Sequence, residues 1–139
     1  MHSVGGLSLS RIPIAVLALA IGFLDCAVAQ QTAPLPMIKR DATIKVSDHV
    51  HVILDDNVGF VPNVGIVVGE RATLIVDTGM GPGNGATGLA EARKLSDNTE
   101  FYLTATHFHP EHDLGATAFP PDAKMIRWRE QQAEADENG

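Results

Sequence analysis

Three histidines and two carboxylates fall within seven residues, His107 to Asp113, of the run Thr106-His107-Phe108-His109-Pro110-Glu111-His112-Asp113-Leu114-Gly115. Imidazole is the commonest side-chain metal ligand, and carboxylates serve hard or borderline cations such as zinc, so the grouping points to a bound metal ion. The competing reading is a polar loop in which histidines gather by chance. His107 and His109 alternate, and an extended backbone would turn both to one face. Pro110 is excluded from a helix interior but favoured at its first position. The expected path is a strand that ends at His109 and a helix that begins at Pro110. Glu111 and His112 are then brought back over the same mouth.

The elements that must position these residues are legible upstream. Phe101-Tyr102-Leu103-Thr104-Ala105 is an apolar run that leads into the histidines. Ala72-Thr73-Leu74-Ile75-Val76-Asp77 is apolar on both faces, as expected of a strand inside a layered fold, and it ends in Asp77-Thr78-Gly79. A carboxylate at the end of a buried strand is costly unless it is paired or hydrogen-bonded. Asn63 to Gly69 is a second β-branched run, joined to the first by a hairpin turn at Gly69-Glu70-Arg71. Ile44 to Leu54 alternates as a strand or two. His49 and His51 share one side of it, either as polar residues on the wet face of an outer strand or as metal ligands. Asp55-Asp56-Asn57 and Gly59 mark a turn.

Gly79 to Gly88 holds five glycines and one proline in ten residues. It lacks a Lys-Ser/Thr ending and a G-x-G-x-x-G pattern, so it reads as a flexible loop bordering a cleft rather than a phosphate cradle. A helix is expected over Gly88 to Leu95, capped by Thr87 or Asn84, with Leu89, Ala92 and Leu95 facing a sheet and Arg93-Lys94 suiting its C-terminal dipole. Ser96-Asp97-Asn98 ends it. Phe119 to Asp122 reads as a turn and Lys124 to Trp128 as a short strand. From Arg129 the chain has no large apolar residue and reads as an exposed helix or a frayed tail.

His107, His109, Glu111, His112 and Gly115 form H-x-H-x-E-H-x-x-G, which resembles the H-x-H-x-D-H-x-x-G signature of the metallo-β-lactamase superfamily, with Glu111 where the family has Asp. Asp-Thr-Gly about thirty residues upstream, at Asp77, strengthens the resemblance. The order of elements is that of the first half of this α/β (α+β) fold, a four-layer αββα sandwich, and the resemblance covers Ile44 to Trp128. It implies that His107 and His109 hold a first zinc ion and that Glu111 and His112 contribute to a second. It implies that Glu111 takes the catalytic role of orienting the nucleophile, and that Asp77 lies beneath the metal site and steadies the loop. The implied chemistry is hydrolysis of a small-molecule ester, thioester, lactam or phosphoester by metal-activated water. Glu111 sets its carboxylate about 1.5 Å further out than Asp would, against a tolerance of about 0.2 Å in metal–ligand distance. The second metal is then weak or missing, or the helix start is set back. Asp113 should point elsewhere. The family also draws two histidines from beyond this motif, and none follows His112. The expectation is therefore the N-terminal part of a metallo-hydrolase, a fragment of a longer gene that is inactive alone and exposes the inner face of its sheet for association. A half-domain that pairs with a second chain is the alternative. A non-catalytic metal- or partner-binding protein on the same scaffold is the rival function, with Glu111 marking lost chemistry.

Composition bounds the rest. The 139 residues carry 10 basic and 17 acidic side chains, a net charge of −7, with no basic cluster, which argues against nucleic acid. Arg11 precedes the apolar run Ile12 to Leu24, too short for a comfortable membrane span, and Ala27-Val28-Ala29 gives a small-x-small cleavage pattern. The expected organisation is a signal peptide over 1–29, a linker over 30–43 and a partial metallo-β-lactamase-like domain over 44–139, in a periplasmic or secreted protein. A lipoprotein anchor at Cys26 and an uncleaved membrane anchor are the alternatives. Cleavage before Gln30 would remove Cys26, the one cysteine, and with it any thiolate ligand.

Overall fold

The computed structural model describes residues 35–138. The expected signal peptide and the first part of the linker lie outside the described residues. No helix among those described is long and apolar enough to cross a membrane.

Six strands form one mixed sheet in chain order: β1 (Thr43–Lys45), β2 (Val50–Ile53), β3 (Val64–Val68), β4 (Ala72–Val76), β5 (Glu100–Thr104) and β6 (Lys124–Met125). The first four pair antiparallel, and the turn between β3 and β4 closes with Gly69 N donating to Ala72 O at 2.9 Å. β4 and β5 are parallel, as are β5 and β6. The long helix α1 (Gly81–Leu95) makes the crossover from β4 to β5. A short helix α2 (Pro110–Asp113), a 3-10 turn (Leu114–Ala118) and a final helix α3 (Arg129–Asn138) complete the described chain. The mixed α/β arrangement is that of a partial four-layer sandwich.

Alternation along the strands sorts the side chains. Ile53, Val64, Ile66, Ile75, Phe101 and Leu103 fill the core with Leu89 and Ala92 of α1, and Leu95 packs on its margin. Each large aliphatic side chain fully buried there contributes about 2 kcal/mol. On the other face Val67, Leu74, Val76 and Tyr102 are only half-buried, and beyond them Ile126 and Trp128 are exposed. His51 departs from the wet-face expectation. It pairs with Ile66, so the two share a face, and its Nδ1 is buried with no hydrogen-bond partner.

The glycine-rich stretch is not the flexible loop the sequence suggests. Helix α1 already begins at Gly81, with Pro82 in the first turn, where a missing N–H costs nothing. Neither Asn84 nor Thr87 caps it. Asn84 is buried inside the helix, where its amide donates to Met80 O and Pro36 O while its carbonyl accepts from Ile38 N. Gly85 serves contact rather than flexibility. A Cβ on Gly85 would lie 1.9 Å from the carbonyl oxygen of Gly115, so only a bare backbone lets α1 reach the 3-10 turn.

Glu91 ties the segment before β1 to the same helix. It is buried, and its carboxylate accepts from Asp41 N, Thr43 Oγ1 and Lys94 Nζ. Burial pushes its pKa up, but these hydrogen bonds and the Lys94 charge outweigh it and hold the carboxyl below its ordinary range.

Candidate metal centre

The parallel register of β4 and β5 sets Val76 opposite Thr104, so the carboxyl ends of the two strands lie side by side. Sites in α/β sheets form at such ends because the loops there diverge into open space. Here the two loops are Asp77-Thr78-Gly79 and Ala105 to His109.

The strand delivering the histidines stops earlier than expected, at Thr104. Asp77 is the reason. It is 4% exposed and sits at φ +62°, a left-handed conformation that Asp tolerates better than most side chains. Its backbone N–H donates to Thr104 O at 2.9 Å, and its Oδ1 accepts from Thr106 N at 2.7 Å. The chain is thereby drawn out of the sheet ladder into a bend, where His109 N donates to His107 O at 3.2 Å. His107 and His109 meet because of this bend, not because of strand alternation. The helix does begin at Pro110, with His109 still extended at φ −147° as its N-cap.

Thr78 and Gly79 grip the other side. Thr78 N donates to His112 O at 2.9 Å, and Thr78 Oγ1 donates to Asp113 O at 3.0 Å. Gly115 N donates to Gly79 O at 2.7 Å. A Cβ on Gly115 would stand 2.0 Å from Thr78 O, which explains why glycine closes the motif.

The ring nitrogens can be assigned by counting protons. A carboxylate only accepts, so Thr106 Oγ1 spends its single proton on Asp77, 3.0 Å from Oδ2. His107 Nδ1, 3.1 Å from the same hydroxyl, must then be the donor, which in the neutral ring leaves His107 Nε2 bare. His112 Nδ1 donates to Asp77 Oδ2 at 3.0 Å, so in the neutral ring His112 Nε2 is bare as well. A carboxylate that orients a histidine in this way is the usual support of a metal ligand. Thr106 and Thr78 received no role from sequence. Their signal was only that hydroxyl residues adjoin Asp77 and His107.

His107 Nε2 lies 3.1 Å from His109 Nδ1. Two nitrogens bound to one tetrahedral zinc at about 2.0 Å would be roughly 3.3 Å apart, so this pair fits two corners of such a site. Glu111 Oε1 is 3.7 Å from His109 Nδ1, so the longer side chain turns toward His109. The His107 and His112 rings lie 4.0 Å apart between centroids. The donor types suit zinc, but the fit stops at the pair. Among the described residues, no three His, Cys, Asp or Glu side chains converge on a common point. Asp113 turns away to an ion pair with Arg127, a partner outside the motif.

Residues 57–136 match a family model described as the metallo-beta-lactamase superfamily. No curated protein matches the chain.

Proposed function

The chain belongs to the metallo-beta-lactamase superfamily, and from that membership we propose that it is a zinc-dependent hydrolase acting at the mouth formed by His107, His109, Glu111 and His112. The observation that carries this reading is the approach of two ring nitrogens, His107 Nε2 and His109 Nδ1, to 3.1 Å. His107 and His109 would hold a first ion, and Glu111 with His112 would contribute to a second. What zinc supplies when bound is a hydroxide near neutral pH and a Lewis acid for the substrate oxygen. The chain's own part is positional. Asp77 fixes the His112 ring directly and the His107 ring through Thr106. His109 Nδ1 must give up its proton before it can serve as a ligand. Glu111, reaching toward His109, is the group placed to accept a proton from the attacking water. The substrate class within ester, thioester, lactam and phosphoester hydrolysis belongs to the same proposal, as does export with cleavage before Gln30.

A specific observation favours a second reading. No three donors converge among the described residues, which suits a non-catalytic metal- or partner-binding protein on this scaffold. Metal content separates metal binding from its absence. The full chain, dialysed against zinc, should retain weakly bound metal, at most one ion per chain, and lose it when His107 and His109 are both replaced by Ala. Retention unchanged in that double variant would refute the assignment of the pair. Zinc-dependent turnover of a thioester or ester that disappears in the double variant would then favour the hydrolase over the binding protein.

A further inference from the structure

Beside His109 lies a cavity of about 500 Å³ between the histidine loop and α3. Its apolar wall is built by Phe108, Pro110 and Leu114 on one side and by Ala135 of α3 on the other. That size lies within the range of small-molecule sites, which are mostly apolar with a few placed polar groups.

Its charges are already accounted for. Arg127 reaches the cavity, but its guanidinium is paired with Asp113. Asp136 adds a second carboxylate to the lining, where it accepts from Gln132 Nε2 at 2.7 Å. With His109 neutral, these groups carry one positive and two negative charges. With no ion at the His109 end, a carboxylate or phosphate entering here would meet net negative charge and no uncommitted cation in the lining, so the protein's own side chains would repel it. An uncharged hydrocarbon group would displace water from apolar walls at no such cost.

We propose that this cavity receives the uncharged acyl chain of an ester, thioester or lactone whose carbonyl lies at His109. The proposal rests on the hydrolase reading for the carbonyl's position and on the cavity alone for the chain. It narrows the substrate class toward neutral acyl compounds and away from substrates whose anionic group would enter the cavity.

The test uses binding to the full chain freed of zinc, read by amide chemical shifts, with 2-octanone as the neutral probe and octanoate as its anionic counterpart. 2-Octanone should shift Phe108, Leu114 and Ala135 and bind at least ten-fold more tightly than octanoate. Ala135→Phe should fill the cavity and weaken 2-octanone at least ten-fold while zinc retention stays unchanged. Leu114→Trp should do the same from an exposed position where folding is not at stake. Asp113→Asn should free Arg127 and reverse the preference toward octanoate. Equal or tighter octanoate binding in the unaltered protein would overturn the proposal, as would shifts confined to another surface. The two readings fail separately. Absence of 2-octanone binding in a chain that retains zinc on dialysis refutes the cavity, whereas 2-octanone binding in a chain that retains no zinc on dialysis refutes the metal site.

Discussion

His112 and His109 stand three residues apart on one short segment, yet the His112 side chain is 15% exposed and the His109 side chain 62%. His112 is held at its ring by Asp77 and at its carbonyl by Thr78, both from the loop after β4. The polar contacts of the His109 ring are with neighbours in its own motif, His107 and Glu111. One end of the motif is fixed by the fold before any ligand arrives, and the other is fixed by local contacts that a ligand can rearrange. The difference explains why one short string of residues contains both a rigid support and an adaptable mouth. Adaptability at His109 also fits its place on the rim of the cavity beneath α3.

The largest blow to the held end is Gly115→Ala. The new Cβ would overlap the Thr78 carbonyl at 2.0 Å, and backbone against backbone has no easy relief. A loss of about 3 kcal/mol or more is expected, measured by urea unfolding. A loss below about 0.5 kcal/mol would show that the loop after β4 is not clamped to the 3-10 turn.

Asp77→Asn comes next. The amide keeps an acceptor for Thr106 N but offers N–H groups where His112 Nδ1 and Thr106 Oγ1 now donate. Stability should fall by roughly 2 kcal/mol, because two part-buried donors lose a charged acceptor. Zinc affinity should fall about 10-fold or more, as the rings lose their fixed tautomers. Competition against a chromophoric chelator reads the affinity. Unchanged affinity would mean that the support of His112 is irrelevant to metal.

The smallest effect on folding belongs to the free end. His109→Ala should change stability by no more than about 0.5 kcal/mol, since an exposed ring with no partner outside its motif is removed. A loss near that of Asp77→Asn would erase the contrast between the two ends.

Much of this was open to inspection in the chain itself. β-Branched runs at Val64–Val68 and Ala72–Val76, broken by a turn at Gly69, announced the hairpin because strand formation there is local in cause. Pro110 announced the helix start for the same reason, since its ring fixes φ and removes a donor. The motif residues announced metal chemistry by type alone. What sequence misjudged was each feature that depends on a distant partner. The Gly79 to Gly88 stretch looks flexible by composition, yet most of it is helix and its Gly85 answers to Gly115 across the fold. The meeting of His107 and His109 looked like strand alternation, yet it comes from a carboxylate 29 residues upstream that captures Thr106. His51 looked like a surface residue, yet its pairing with Ile66 sets it on the core face. The sequence by itself determined which groups are available and where the chain turns, because propensity and covalent geometry act over a few residues. Only the tertiary structure decided which nitrogen each histidine presents and which glycine must stay bare. A proton's location and a steric contact are set by whatever lies opposite, and the parallel pairing of β4 with β5 chose what that is.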